Sequence, residues 1–254
     1  MRIEDYLSRI GANAPRRLTA EALRSLHERH LRKVPFENLD IYRGVPIVLD
    51  EERILNKIVR DRRGGFCYEL NFAFQWLLVQ LGYRVTLLSA EVARSDGGFG
   101  IPFDHMALLV AIDGDDWLAD VGFGDSFLRP LRLTADLPHP ESAYVYRLSR
   151  AEDIWVLSRA PTDGEEFGSQ YRFTLTPRRL SDFRGGCEYH QTSKDSPFTQ
   201  RVVTSRALAE GRITLTRERL ILHSRTGRTE TPIPDESAWL DALGRHFEIS
   251  LEVS

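Results

Sequence analysis

Thiols are scarce in this chain. Among its 254 residues only Cys67 and Cys187 carry one, too few for a disulfide framework. A cytosolic, reducing compartment is therefore expected, where a lone cysteine is either packing or chemistry. Long apolar runs are missing as well. The longest, 76–79 and 106–112, fall far short of a membrane span. The opening Met1-Arg2-Ile3-Glu4-Asp5 is charged where a signal peptide needs an apolar stretch. No sign of charge dominates. Lys and Arg number 34 against 37 Asp and Glu, a net −3, so nothing favours a nucleic-acid partner. No segment repeats with the period of a solenoid or propeller. What remains is an ordinary globular composition, 42% hydrophobic and 28% charged, long enough to bury a sizeable core.

The first third reads as helical. Thr19 can cap a helix whose Leu23, Leu26 and His30 share a face and which ends before Val34-Pro35. Asp50 can cap a second, with Ile54, Leu55 and Ile58 inward. In the third, Cys67, Leu70, Asn71, Phe74, Leu78 and Leu81 recur at helical spacing and Gly82 stands at the stop. From Tyr83 onward the pattern turns to short strands, at 84–92, 106–112, 116–121, 144–149, 154–158 and 171–176. A polar stretch at 181–197 reads as irregular, with Cys187 an ordinary loop or interface residue. Strands at 201–205, 212–216 and 219–223 follow, then a helix at 237–247 capped near Asp235. The order is that of an α+β protein. Cys187 and His190 lack the further ligands that would complete a metal site, so no metal is expected.

The chemistry gathers at Cys67. It follows Arg62-Arg63-Gly64-Gly65-Phe66, where two glycines permit a sharp entry into the helix. A cysteine in a first helical turn feels the positive end of the helix dipole, which favours thiolate. A thiol nucleophile also needs a base and a group to orient it. Asp113-Gly114 is a hairpin signal between two strands. A two-residue loop pairs Ile112 with Asp115 and sets Asp120 opposite Ala107, diagonal to His105. Such neighbours lie about 7–8 Å apart at Cα. Cys67, His105 and Asp120 thus form a candidate triad.

These residues resemble the arylamine N-acetyltransferase family. Val34-Pro35-Phe36-Glu37-Asn38-Leu39-Asp40 looks like its N-terminal signature, and Arg63-Gly64-Gly65-Phe66-Cys67-Tyr68-Glu69 like its nucleophile motif. Asp104-His105 and Asp120-Val121-Gly122-Phe123-Gly124 look like the other triad segments. Tyr189-His190-Gln191-Thr192-Ser193 and Ser196-Pro197-Phe198 are similar to the entry into its third domain. The resemblance implies a helical bundle at 1–82 carrying the nucleophile, an antiparallel β-barrel at 83–195 and an α/β lid at 196–254, around a papain-like Cys-His-Asp site. It implies Cys67 as nucleophile, His105 as base, Asp120 as orienter, and Glu37 with Arg63 as a bracing pair. It also implies acetyl-CoA as co-substrate, an acetyl-cysteine intermediate and ping-pong transfer to an arylamine, arylhydroxylamine or hydrazine. Phe36, Phe66, Phe103, Phe123 and Phe127 are the candidate acceptor pocket. Gly122, Gly124 and Ser126 are the candidate coenzyme contacts, although Asp125 beside them would repel a phosphate.

Two alternatives accompany this reading. The chain stops at Leu251-Glu252-Val253-Ser254, where bacterial relatives carry a further helix. Such short chains also resemble the ansamycin amide synthases, which take an acyl chain from an acyl carrier protein and close a macrolactam. The same residue order also occurs in papain-like and transglutaminase-like cysteine hydrolases, against which the glycine elbow and the Phe36-Glu37-Asn38 motif argue.

Overall fold

The computed structural model describes residues 1–251 apart from 142, 165, 225 and 226. The site depends on how one buried helix is introduced. α1 (Ile3–Ile10) turns Tyr6, Leu7 and Ile10 inward and stops at Gly11, whose φ of 65° lets its N–H return to Ser8. This helix escaped the sequence reading because eight residues hold barely two turns of periodicity. α2 (Ala20–Lys33) begins as expected, with Thr19 Oγ1 accepting the Ala22 N–H at 3.2 Å. β1 (Phe36–Glu37) and a single turn, α3 (Leu39–Tyr42), follow. Asp50 caps α4 (Glu51–Leu55), which continues into a π-helical turn at Asn56–Arg60. α5 (Cys67–Leu81) ends at Gly82 with φ 102°. It lies in a shared core with Tyr6, Leu23, Ile54 and Ile58, where each fully buried aliphatic side chain contributes roughly 2 kcal/mol.

The larger sheet is antiparallel throughout. Its strands are β2 (Arg84–Val92), β3 (His105–Ile112), β4 (Asp115–Ala119), β5 (Leu131–Arg132), β6 (Pro138–Pro140), β7 (Tyr144–Ala151), β8 (Ile154–Pro161) and β9 (Gly168–Phe173). They lie in the order β5-β4-β3-β2-β9-β8-β7-β6. Strand alternation divides their side chains between two cores. Leu87, Leu108 and Val110 face α5, whereas Leu88, Ala107, Leu118, Tyr146, Leu157 and Tyr171 fill the interior of the curled sheet. The sheet curls around this interior and is nearly closed into a barrel. The β3–β4 turn pairs Ile112 with Asp115, the register the Asp113-Gly114 loop dictates.

The stretch 181–197 is not irregular. A 3₁₀ turn, Leu180–Phe183, leads into α6 (Arg184–Thr192), and α7 (Pro197–Gln200) follows. Its apolar face is short, and Gly185-Gly186 masked it. Gly186 is there for close approach, since a Cβ would lie 2.3 Å from the Phe103 carbonyl oxygen. Cys187 is accordingly buried on a helix rather than placed in a loop.

A second sheet runs β1-β10-β11-β12-β13, formed with β10 (Thr204–Leu208), β11 (Gly211–Leu215), β12 (Arg219–Ser224) and β13 (Gly227–Pro232). α8 (Glu236–Phe247), capped by Asp235, packs Trp239, Leu243 and Phe247 against Ile213 and Leu215. β13 carries no apolar face and is wholly exposed, which is why no pattern announced it. Residues 252–254, on which the reading of a shortened C-terminal region rests, lie outside the described residues. Among the described residues no helix is long and apolar enough to cross a membrane.

Candidate active site

The approach to Cys67 is built from two segments. β1 lies beside the loop before α5, with the Glu37 N–H donating to the Gly65 carbonyl at 2.8 Å. The fit is tight enough that a Cβ on Gly64 would fall 1.9 Å from the Pro35 carbonyl oxygen. Glu69 Oε2 then accepts the Phe66 N–H at 3.2 Å, fixing the first turn. Cys67 emerges buried at the floor of a cavity.

Across that cavity His105 Nε2 lies 2.7 Å from Asp120 Oδ2. Asp120 Oδ1 accepts from Asn71 Nδ2 and from the Gly122 N–H, each at 2.9 Å. Burial alone would raise the Asp120 carboxyl. The His105 charge and the bonds from His105, Asn71 and Gly122 outweigh it, and the group is held below the usual carboxylate range. Behind Asp120, His27 Nε2 accepts the Asp120 N–H at 3.1 Å, which makes Nδ1 the protonated nitrogen donating to the Leu128 carbonyl at 2.8 Å. Burial drives His27 down to about 4, so it stays neutral. Phe123 stands edge-on to the His105 ring at 5.2 Å between centroids, and Tyr171 packs on the ring at the same distance.

The thiol itself departs from the dipole argument. Burial, then the charges of Asp104 and Asp120, push Cys67 up, and a Met106 backbone hydrogen bond only partly opposes them. In this setting ionisation depends on a nearby proton acceptor rather than on the helix end.

The cavity measures about 650 Å³ and is lined by Cys67, His105, Phe36, Phe123, Phe198 and Gly122 among others. Gly122 fits against the start of α5 so closely that a Cβ would lie 2.7 Å from Cys67 Cα. A second cavity of about 780 Å³ shares Phe36 and Phe123 with the first and continues past Gly124, Asp125, Ser126 and Arg212 toward the second sheet. Three aromatic assignments need correction. Phe66 and Phe127 are fully buried, Phe66 edge-on to Tyr68 and Phe127 stacked on His27. Phe103 packs on Phe183. Proximity to a motif in sequence does not say which side of the chain a ring occupies. Phe198 is the wall residue that reading missed. Its signal was the Ser196-Pro197 helix start, where Ser196 Oγ accepts the Phe198 N–H at 3.2 Å.

Glu37 and Arg63 meet at 2.8 Å, but not as an isolated pair. Arg63 also reaches Asp40 at 2.9 Å, and Lys57 bridges Asp40 and Glu69, both at 2.7 Å. This largely buried network ties β1, α3, the π turn and α5 together behind Cys67. Asp125 does not act as a free negative charge either. Arg159 and Arg212 both bind it at 3.1 Å, so two cations share one carboxylate and the local sign is reversed. Among the described residues no group of three or more His, Cys, Asp or Glu is placed to hold a metal.

Comparison with known proteins completes the picture. A family model described as N-acetyltransferase matches residues 19–254. The chain is 33% identical to Arylamine N-acetyltransferase 1 of Homo sapiens and 32% identical to that of Bos taurus, in each case over 99% of this chain and 95% of the other. Among solved structures, the arylamine N-acetyltransferase of Salmonella typhimurium superposes with a TM-score of 0.93 at 30% identity, covering 99% of this chain and 92% of that one. The enzyme of Mycobacterium marinum, solved in complex with CoA, gives 0.89 at 32% identity, covering 98% and 93%. Sequence motifs, fold and full-length similarity agree, and the chain belongs to the arylamine N-acetyltransferase family of acyltransferases.

Proposed function

We propose that the protein moves an acetyl group from acetyl-CoA to an arylamine, arylhydroxylamine or hydrazine by way of acetyl-Cys67. One observation carries this reading: Cys67 and His105 open on the same cavity, and His105 Nε2 is bonded to Asp120. With Nε2 so engaged, Nδ1 is the nitrogen that takes the Cys67 proton. The thiolate attacks the thioester carbonyl, and first-turn N–H groups of α5 supply donors for the oxyanion. The carbon–sulfur bond to the donor breaks, and the departing thiolate recovers the proton from His105. An amine then attacks acetyl-Cys67, His105 removes a proton from its nitrogen, and Cys67 leaves as thiolate.

Both substrates suit the walls. Phe36, Phe123 and Phe198 form an aromatic slot for an aryl acceptor that is largely uncharged at neutral pH. The coenzyme is long and anionic. The adjoining cavity offers length, close backbone at Gly124, and the net positive Arg159–Asp125–Arg212 group.

Intact mass spectrometry after mixing with acetyl-CoA tests the proposal. A gain of one acetyl group, lost in Cys67→Ala, is the expected result. No adduct and no release of coenzyme A, with Cys67 still alkylatable, would overturn it and direct attention to donors delivered on a carrier.

A further inference from the structure

One carboxylate in the catalytic cavity plays no part in the relay. Asp104 immediately precedes His105 and lines the same cavity as Cys67. Its Oδ1 accepts from His190 Nε2 at 2.9 Å, and its Oδ2 accepts the Val92 N–H at 3.1 Å. Neither oxygen has used both lone pairs in these bonds. His190 is itself fixed, with Nδ1 3.1 Å from Ser196 Oγ at the start of α7. The Ser196 hydroxyl also donates to the His190 carbonyl at 3.2 Å, so this residue is held at both backbone and ring.

The backbone is also constrained to aim this group. Phe103 has φ 62°, a region that non-glycine residues rarely adopt and that surrounding bonds must hold. Tyr68 Oη donates to the Phe103 carbonyl at 2.7 Å and lies 3.1 Å from that of Asp104. His190 Nε2 lies 3.1 Å from the Asp104 carbonyl too. Gly186 of α6 closes against Phe103 from the same side.

The charge of Asp104 is out of place for the first half-reaction. Among the described residues its ion-pair partner is His190, while Arg94, which lines the same cavity, is paired with Asp96 at 2.9 Å. After burial, its negative charge is the next influence holding Cys67 protonated. An anion that opposes the thiolate favours a cation in the same space, and the second half-reaction makes one. When the amine nitrogen bonds to the acetyl carbon, the carbonyl oxygen becomes negative and the nitrogen positive until a proton leaves.

We propose that Asp104 is a catalytic residue of aminolysis, accepting an N–H from the amine that attacks acetyl-Cys67 and offsetting the positive charge on its nitrogen, with His190 as the positioning residue. This rests on the acetyl-cysteine reading above. In the step, the nitrogen–carbon bond forms and the π pair moves to oxygen. A second N–H proton passes to His105 Nδ1, the oxygen pair returns, and the carbon–sulfur bond breaks with its electrons going to Cys67. Asp104 keeps its own protonation state throughout and holds the remaining N–H.

Single-turnover kinetics separate the halves. Acylation is followed by p-nitrophenol release from p-nitrophenyl acetate, and aminolysis by the decay of acetyl-Cys67 with a series of anilines. Asp104→Asn is expected to speed acylation by about two- to threefold, as a nearby like charge is removed. It is expected to slow aminolysis roughly 10- to 100-fold. His190→Leu should share the aminolysis loss, and His190→Gln, which can still donate to Asp104, should recover most of it. Equal slowing of both halves would show that these residues merely position His105 and would overturn the proposal, as would aminolysis at the wild-type rate. Should Asp104→Asn not fold, the His190 pair applies the same criterion. Failure of the wild-type protein to form acetyl-Cys67 at all would instead condemn the acetyl-cysteine reading.

Discussion

Asn71 on α5 and Asp120 at the end of β4 are joined by a 2.9 Å hydrogen bond. The same amide donates to the Met106 carbonyl at 2.5 Å and accepts the Val121 N–H at 2.9 Å. Asn71 lies one helical turn after Cys67, on the same face. A single buried side chain therefore sets the helix of Cys67, the strand of His105 and the loop of Asp120 relative to one another. Replacing it with alanine leaves three buried polar groups short of a partner, a loss of about 2–4 kcal/mol. Asn71→Ala should lower the urea midpoint accordingly and reduce kcat more than it raises KM, because Asp120 loses its alignment. A variant with wild-type kcat would refute this role.

His27 predicts an acid limit. Its ordinary value near 6.5 falls to about 4 in the fold through burial. A depressed value means the neutral form is favoured by folding, so this stability is complete above about pH 6.5. It is lost as the pH drops toward 4, and amounts to about 3 kcal/mol once His27 is fully charged. Urea titrations across that range should show the decline. The His27 ring proton should titrate near 4 by NMR, and a midpoint near 6.5 would contradict the neutral bridge to Asp120.

Lys57→Met should be costly despite preserving the length of the side chain. It strips the buried Glu69 of its cation, and breaking such a pair typically costs about 3–5 kcal/mol. Burial already raises the Glu69 carboxyl, and without Lys57 it rises further. A raised folded value contributes stability at low pH that is lost as pH increases. The gap between variant and wild type in melting temperature should therefore be small near pH 4 and widest near pH 7. A gap independent of pH would argue against a charged Glu69.

Gly122→Ala probes close packing at the site. The added Cβ would meet Cys67 Cα and Asn71 Nδ2, both at 2.7 Å. Overpacking of this kind costs about 1–3 kcal/mol. The shift displaces Cys67, so the rate of Cys67 alkylation and kcat should fall together. Retention of both would mean that the helix yields more easily than its burial suggests.

The legible parts of this fold were those whose physics is local. Thr19, Asp50 and Gly82 mark helix ends through bonds within a few residues, and Asp113-Gly114 sets a register through one turn. The hydrogen bond between His105 and Asp120 follows from that register. What stayed hidden depends on distant partners. α6 presents too short an apolar face to show a period, and it is a helix because Phe183, Cys187 and His190 find a core built by other segments. Lys57 carries no local signal at all, because its burial depends on Asp40 and Glu69 closing around it. Phe127 and Phe198 exchanged roles for the same reason, since the side of the chain a ring takes is decided by what packs behind it.

The two-residue strand β1 is a seam. On one edge Phe36 and Glu37 pair with Ser205 and Thr204 of β10, and on the other they adjoin Gly65. The five-stranded sheet thus borrows its first strand from the opposite end of the chain. A fragment beginning at residue 196 would start its sheet at β10 with a row of unpaired backbone groups, a surface that invites association. During synthesis the last strands find their template only in residues made long before, a contact of very large sequence separation and hence a slow one. The elbow beneath Cys67 and the β10–β11 wall of the larger cavity are finished in the same event. In refolding, helical signal should return first and enzymatic activity last.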